Sequence, residues 1–141
     1  MTIRKADAVS QGSLREGSGE LALESGAFRG PYTFKARFEQ GTETNPEELL
    51  GAAHAGCFTM ALTALLARER LAPTLIRTTA SVHLAQAAGG FTIPKIELVT
   101  RAQVPGITAE RFAALAADAK VNCPVSKALA GAEITLDAAL E

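Results

Sequence analysis

The spacing of apolar and polar residues changes along the chain, and each change predicts a different element. In the first third, apolar residues alternate with polar ones around Leu21–Leu23 and again over Tyr32–Phe38, which is the period of a strand with one buried face. Glycines separate these runs as turns: Gly17, Gly19, Gly26 and Gly30. We therefore expect three strands in this part of the chain.

A long helix follows, and its first residues are typical of a helix start. Asn45 is a preferred N-cap residue, and Pro46 fits the first helical position. The carboxylates of Glu47 and Glu48 come next and suit the positive end of the helix dipole. We expect this helix to run to about Arg70.

This predicted helix is apolar on all sides. Between Leu49 and Ala67 it carries no charged residue apart from a protonatable His54. Such a length can span a membrane, but glycine, threonine and histidine dilute the stretch and charged residues bracket it. We therefore predict the buried central helix of a soluble protein and no membrane span.

The alternating period returns after Pro73, with a strand around Val82 and a second strand from Phe91 to Val104. The parity of the inward-facing residues changes at Pro94, which predicts a β-bulge there. Two helices and a last strand over residues 134–140 complete the pattern. Thr108 caps the first of these helices, and its apolar face is formed by Phe112, Leu115, Ala116 and Ala119; Pro124 starts the second, which should end near Ala130.

The order of elements is therefore β-β-β-α-β-β-α-α-β, which favours an α+β fold of mostly antiparallel strands in a single domain, residues 1–141. Six strands can cover one side of the central helix, which leaves its other side open. Small residues between Gly51 and Ala61 would let a second backbone approach closely. We therefore expect an intertwined homodimer in which a second copy covers the helix.

Composition argues against several classes of function. The chain carries 14 basic and 15 acidic residues and no basic stripe, so we expect no nucleic-acid partner. The first residues lack the long apolar run of a secretory signal. With two cysteines in the chain, this favours the cytoplasm, where a disulfide would be transient and catalytic.

The two cysteines are the candidate reactive groups. Cys57 lies inside the apolar helix, and Cys123 lies between Asn122 and Pro124, at the break between two helices. Thiol chemistry depends on pKa and access, so the pair could be redox-active, but two buried structural thiols are the alternative. The histidines and cysteines have no close ligand spacing, and we expect no metal.

Two segments resemble the signature segments of the OsmC family, the thiol peroxidases that comprise osmotically inducible protein C and organic hydroperoxide reductase. They are Thr44–Phe58, TNPEELLGAAHAGCF, and Asn122–Lys127, NCPVSK. The resemblance extends over essentially the whole chain. It is closer to the OsmC branch, because the organic hydroperoxide reductase branch commonly has tyrosine where His54 stands.

The resemblance implies a peroxidase with Cys57 as the peroxidatic thiol and Cys123 as the resolving thiol. Arg37 and Glu47 fall at positions that help to activate the peroxidatic cysteine in this family. An intertwined dimer with active sites at the interface is also implied, with no metal or other cofactor. The implied substrates are organic hydroperoxides, with hydrogen peroxide a poorer one, in oxidative and osmotic stress defence. The implied reductant is an external dithiol, such as the lipoyl dithiols used by the organic hydroperoxide reductase branch.

These roles set a geometric problem. A thiolate in an apolar setting needs a nearby cation, but the alternation over Tyr32–Phe38 turns Arg37 away from the apolar face. On a straight helix Glu47 lies about 15 Å along the axis from Cys57. A shared arginine would therefore require a kink or break in the helix, which we expect between Leu50 and Ala53, together with a lowered pKa of the Cys57 thiol.

Four further residues have open roles. His54 shares a helix face with Cys57 and could tune the thiol, but an interface role is commoner and we leave it outside the catalytic set. Arg15, in an expected turn, is a second candidate cation. Phe58 and Met60 could line a site for an organic substrate or belong to the core. A noncatalytic redox-sensing or small-molecule-binding dimer on the same scaffold is the alternative function.

Overall fold

The computed structural model describes all residues from Met1 to Glu141, which form two compact units, Met1–Leu49 and Leu50–Glu141. The first unit contains an antiparallel sheet of three strands in the order β1-β2-β3. Its strands are β1 (Ala6–Gln11), β2 (Ser18–Leu23) and β3 (Arg29–Tyr32). The expected number of strands is confirmed here, but the third one ends early.

The predicted strand over Tyr32–Phe38 is wrong, because the chain forms a short helix, α1 (Phe34–Phe38). Thr33 is its N-cap, and Thr33 Oγ1 accepts a hydrogen bond at 3.0 Å from the backbone N–H three residues on. The rings of Phe34 and Phe38 pack four residues apart, with their centroids 4.9 Å from each other. An alternating run that contains such a pair fits one helical turn as well as a strand.

The long helix α2 (Pro46–Arg68) begins where the sequence predicts. Asn45 Oδ1 accepts a hydrogen bond from a first-turn N–H at 2.8 Å, which confirms the N-cap. The expected break between Leu50 and Ala53 is wrong, since the helix is uninterrupted. A Cβ added to Gly51 would lie 3.4 Å from the carbonyl oxygen of Ala80. This glycine therefore lets the helix pack closely on a strand and does not interrupt it.

The second unit contains a three-stranded sheet in the order β4-β5-β6, with β4 antiparallel to β5 and β5 parallel to β6. Its elements are β4 (Leu75–Ala87), β5 (Gly90–Gln103), α3 (Ala109–Asn122), α4 (Pro124–Ala128) and β6 (Glu133–Leu140). The order of elements matches the prediction except for the additional helix α1. The α+β class and the mostly antiparallel pairing are therefore confirmed.

The β-bulge expected at Pro94 is confirmed. His83 pairs with Lys95 and Ala85 pairs with Thr92, so two residues of β5 face a single residue of β4. Because proline has no N–H to give to a neighbouring strand, a bulge is a position where it is tolerated.

The hydrophobic core lies in the second unit and joins α2, β5 and α3. Its largest fully buried apolar side chains are Phe58, Phe112, Leu62, Leu66, Ile96 and Leu98. The residues predicted for the apolar face of α3 are all buried, which confirms that prediction: Phe112, Leu115, Ala116 and Ala119.

Hydroxyl groups also connect α2 to the sheet. Thr59 Oγ1 donates to Thr78 Oγ1 at 2.7 Å, and the hydroxyls of Thr78 and Thr100 are 3.0 Å apart. Thr100 is fully buried and donates to the carbonyl oxygen of Arg77 at 3.1 Å. Every buried hydroxyl in this chain therefore has a partner, as the cost of burying a polar group requires.

The helix α2 is not buried on all sides within one chain. Met60 is 75% exposed, and Ala52, Ala53 and Gly56 on the same side of the helix are also exposed. By length and composition α2 could cross a membrane, but core helices of soluble proteins pass the same test. A single chain therefore leaves one side of the helix open, as the sequence predicts, and its covering by a second copy stays a prediction.

Candidate active site

The fold of the second unit brings Cys57 and Cys123 into hydrogen-bond contact. Cys57 lies in α2, whereas Cys123 ends α3 and caps α4. Both thiols are free. Cys123 is fully buried and Cys57 is partly exposed, so a molecule that arrives from solvent meets Cys57 first.

The start of α4 surrounds the sulfur of Cys123 with hydrogen-bond donors. Pro124 cannot continue α3 and instead occupies the first turn of α4. The Ser126 N–H consequently lies with its nitrogen 3.5 Å from Cys123 Sγ, and the Val125 N–H interacts with both sulfurs. Donors of this kind favour negative charge on sulfur.

The pKa values of the two thiols move in opposite directions. Burial and then the hydrogen bond with Cys123 raise the pKa of Cys57, against a smaller lowering by the Val125 N–H. Burial also acts to raise the pKa of Cys123, but hydrogen bonds with Cys57, Ser126 and Val125 outweigh it, and the net effect is a lowering. The expected lowering of the Cys57 pKa is therefore wrong for this chain. The N–H groups at the start of α4 therefore favour a negative charge on Cys123 over one on Cys57.

A buried histidine and a buried serine lie behind Cys123. His54 Nε2 is 2.8 Å from Ser126 Oγ, and both residues are buried. Burial lowers the pKa of His54, and its Nδ1 has no hydrogen-bond partner. The Ser126 side chain also hydrogen-bonds with Cys123.

The sequence offers His54 as a residue that could tune the thiol but leaves it outside the catalytic set, and it does not point to Ser126, although the spacing of both residues contains a signal. His54 precedes Cys57 by three residues, and Ser126 follows Cys123 by three residues. Positions three apart on a helix share a face. Two polar side chains spaced in this way from two thiols could have been recognised as one cluster.

The first unit holds Arg37 and Glu47 together as an ion pair. Arg37 Nε and Nη2 both donate to Glu47 Oε1, at 3.1 and 2.9 Å. The Glu47 side chain is 10% exposed and that of Arg37 is 39% exposed. Glu47 Oε2 is buried without a partner. The carboxylate thus fixes the orientation of a guanidinium that solvent can still reach, and the catalytic role of both residues stays a prediction.

A pocket of about 120 Å³ lies beside Arg37 in the same unit. Its lining includes several large apolar side chains: Leu14, Tyr32, Phe34, Phe38 and Pro46. Arg15, the second candidate cation, stacks on the Phe34 ring with its Cζ 4.4 Å from the ring centroid. An apolar pocket next to a guanidinium suits an organic molecule that carries a polar head.

Other candidate residues lie outside these clusters. Phe58 is fully buried in the core and Met60 is 75% exposed, so neither lines an enclosed substrate site within this chain. His83 pairs with Glu97 on the surface, with His83 Nε2 and Glu97 Oε1 3.0 Å apart. The chain has no group of three or more histidine, cysteine, aspartate or glutamate side chains that could hold a metal ion.

Comparison with known proteins identifies a family and relatives that this chain resembles. The model of the OsmC-like protein family matches residues 39–138. Peroxiredoxin OsmC of Escherichia coli (strain K12) is 48% identical over 139 residues, which cover 97% of this chain and 96% of the relative. An organic hydroperoxide resistance protein of Xanthomonas axonopodis pv. citri is 38% identical over 92 residues, 64% of this chain and 63% of the relative. The crystal structure of an organic hydroperoxide resistance protein from Elizabethkingia anophelis covers 99% of both chains with a TM-score of 0.80 and 26% identity.

Proposed function

Because this chain belongs to the OsmC family, we propose that it is a thiol peroxidase that reduces organic hydroperoxides to alcohols, and hydrogen peroxide less well. The observation that carries the proposal is the hydrogen-bonded pair of free thiols, of which Cys57 is accessible and Cys123 is buried. A substrate can reach the sulfur of Cys57, and the sulfur of Cys123 is already in contact with Cys57. Relatives named peroxiredoxin and organic hydroperoxide resistance protein support the same chemistry.

The first step oxidises Cys57. Its proton moves along the hydrogen bond to Cys123, and the Cys57 thiolate attacks the terminal oxygen of the hydroperoxide. The O–O bond breaks, the alkoxide leaves and takes up the proton that Cys123 received to become the alcohol, Cys57 becomes a sulfenic acid, and Cys123 is again a thiolate. The second step joins the sulfurs: the electron pair of Cys123 attacks Cys57 Sγ, the S–O bond breaks, and water leaves after protonation.

Arg37 and Glu47 supply the charge that the first step needs in this proposal. A guanidinium near Cys57 would offset the cost of ionising a buried thiol, and Glu47 holds that guanidinium through two hydrogen bonds to one oxygen. The arginine acts on the thiol of its own chain or of the partner chain. The apolar pocket beside Arg37 would receive the organic part of the hydroperoxide.

The remaining features of the proposal concern the cellular setting. The protein acts in the cytoplasm as a homodimer, with the exposed side of α2 covered by the second copy. An external dithiol, such as a lipoyl protein, reduces the disulfide and completes the cycle. Turnover assays with a lipoyl dithiol, thioredoxin and glutathione in parallel would identify the reductant, and equal rates with all three would contradict a dedicated dithiol.

A noncatalytic redox-sensing dimer is the second candidate, and one observation favours it. The raised pKa of Cys57 leaves little thiolate at neutral pH, so the isolated site would react slowly. Stopped-flow mixing with cumene hydroperoxide separates the two functions. Rapid oxidation of Cys57 supports the peroxidase, and oxidation no faster than that of a free cysteine supports the sensor.

Substitution of each thiol tests the assigned roles. Cys57→Ser should abolish turnover, whereas Cys123→Ser should allow one oxidation and then stall or proceed to sulfinic acid. Normal turnover of Cys123→Ser with a dithiol would remove Cys123 from the mechanism.

A further inference from the structure

A chain of buried polar groups leads from α2 to the sulfur of Cys123. His54 Nε2 contacts Ser126 Oγ at 2.8 Å, and the Ser126 side chain hydrogen-bonds with Cys123. The Ser126 N–H also points at the same sulfur, with N and Sγ 3.5 Å apart. His54 is fully buried and Ser126 is 5% exposed, so water does not compete for these bonds.

The position of each proton follows from the acceptors. Cys123 Sγ is the sulfur that the N–H of Ser126 contacts at 3.5 Å, and the Ser126 hydroxyl hydrogen-bonds with the same sulfur, so the single hydroxyl proton of Ser126 is best used on that sulfur. Ser126 Oγ must then accept from its other neighbour, which requires a proton on His54 Nε2. Burial keeps the imidazole neutral, and Nδ1, which has no partner, is then a bare ring nitrogen. The chain of donors runs in one direction, from His54 through Ser126 to Cys123.

A purely structural role would leave part of this arrangement unexplained. A buried histidine and serine that only satisfied each other would need no third contact. Here the same hydroxyl serves a sulfur that is already contacted by two backbone N–H groups. The arrangement also leaves His54 Nδ1 without a hydrogen-bond partner. A buried nitrogen without a partner costs free energy, and the packing of α2 on α4 does not require that cost.

We propose that His54 and Ser126 are positioning residues for the resolving step, which hold the Cys123 sulfur oriented for attack on the sulfenic acid of Cys57. This inference rests on the proposed peroxidase function. The Cys123 electron pair forms the S–S bond, the S–O bond of the sulfenic acid breaks, and the leaving hydroxide takes a proton from solvent. Cys57 and Cys123 end as a disulfide, and Ser126 keeps its own proton throughout.

The size of the effect follows from two opposing trends. A hydrogen bond that lowers a thiol pKa by one unit gives about ten times more thiolate at neutral pH and makes that thiolate about threefold less nucleophilic. The hydrogen bond therefore makes disulfide formation about threefold faster. Removal of the hydroxyl loses this factor and also loses the orientation of the sulfur, which slows the step further. We therefore expect Ser126→Ala to slow disulfide formation about three- to tenfold.

Rapid-quench experiments with cumene hydroperoxide separate the two steps. Dimedone traps the sulfenic acid of Cys57, and alkylation followed by mass spectrometry counts the disulfide. Ser126→Ala and His54→Leu should form the sulfenic acid at the wild-type rate but form the disulfide more slowly, with more sulfinic acid at Cys57. His54→Gln, whose amide N–H can still donate to Ser126, should recover most of the loss.

Thr100→Val is the matched control, because it removes another buried hydroxyl of the same unit that has no contact with the thiols. It should leave both rates unchanged. If Ser126→Ala forms the disulfide as fast as the wild type, or slows both steps equally, the proposal is overturned.

A titration that needs no turnover keeps the inference separate from the proposed function. The absorbance of the reduced protein at 240 nm reports the first thiolate, and its apparent pKa should rise in Ser126→Ala and stay unchanged in Thr100→Val. An unchanged pKa in Ser126→Ala would refute the positioning role. If Cys57 of the wild-type protein fails to form a sulfenic acid, the proposed function fails instead, whatever this titration shows.

Discussion

At the scale of single residues, the thiol that solvent reaches differs from the thiol on which the surrounding hydrogen bonds favour a negative charge. Cys57 is the sulfur that solvent reaches, but the hydrogen bonds at the start of α4 lower the pKa of Cys123 while burial raises that of Cys57. Attack by Cys57 therefore requires transfer of its proton, and each unit of pKa difference adds about 1.4 kcal/mol to that step. A cation that acts on Cys57 would reduce this cost, which is why the role of Arg37 deserves a direct test.

We predict that Cys123→Ala lowers the pKa of Cys57. The hydrogen bond with Cys123 and its charge both raise that pKa in the intact pair, and the smaller alanine removes both. The rate of Cys57 alkylation by iodoacetamide, measured against pH, should show its inflection at a lower pH in the variant. An inflection at the same or a higher pH would mean that the two thiols do not share a proton.

We predict that Arg37→Ala slows the oxidation of Cys57 about ten- to a hundredfold, since a hydrogen bond to a charged group is worth about 1.5–3 kcal/mol. Stopped-flow mixing of the reduced protein with cumene hydroperoxide measures the rate. Arg15→Ala is the control, because Arg15 is a second guanidinium of the same unit but stacks on Phe34. A larger loss in Arg15→Ala than in Arg37→Ala would transfer the role to Arg15.

The sequence predicts part of these two clusters and misses the rest for physical reasons. Cys57, Cys123 and the pairing partners Arg37 and Glu47 were expected from the family resemblance. The sign of the Cys57 pKa was not, because it depends on which sulfur receives the N–H groups at the start of α4. That choice is made by tertiary packing and is invisible in the spacing of the two cysteines.

At the scale of elements, prediction works where caps and periodicity agree. Helix α3 has both a capping threonine, Thr108, and a single apolar face, and its start and its buried residues are as expected. The region Tyr32–Phe38 satisfies two periods at once, since alternate residues include a pair four apart. The N-cap residue Thr33 stabilises the helical alternative. In the sequence, however, this single capping residue is a weaker signal than the alternation.

We predict that Thr33→Ala destabilises α1 and disturbs Arg37. Loss of the N-cap hydrogen bond to the first turn should cost about 1 kcal/mol of unfolding free energy, measured by urea denaturation. Oxidation of Cys57 should also slow if Arg37 needs this helix for its orientation. Thr33→Ser keeps the capping hydroxyl and should preserve both the stability and the rate. Equal behaviour of the two variants would show that the cap is dispensable.

At the scale of the whole molecule, α2 leaves an apolar side exposed that includes Met60 and Gly56. We predict a homodimer in solution, with a sedimentation mass of roughly twice 14.7 kDa at micromolar concentration. A well-folded wild-type monomer under these conditions would contradict the prediction.

Gly56→Glu locates the dimer contact. A Cβ at Gly56 meets nothing within 4 Å in the single chain, and glutamate is a better helix former than glycine. The substitution should therefore keep the fold while the buried charge dissociates the dimer. Gly131→Glu adds the same charge at another exposed glycine whose Cβ would also meet nothing, and it should remain dimeric. Retention of the dimer in Gly56→Glu would place the interface elsewhere.

The parallel pairing of β6 with β5 has a consequence for the order of events during synthesis. A parallel pair needs a crossover, and here the crossover contains α3, α4 and Cys123 between them. Lys120 of α3 also donates to the carbonyl oxygen of Ile134 in β6. Because β6 follows α3 and α4 along the chain, the crossover that carries Cys123 is held at both ends only after Glu133–Leu140 has been made, and a nascent chain that stops before Glu133 should show faster alkylation of Cys123 than the folded protein does.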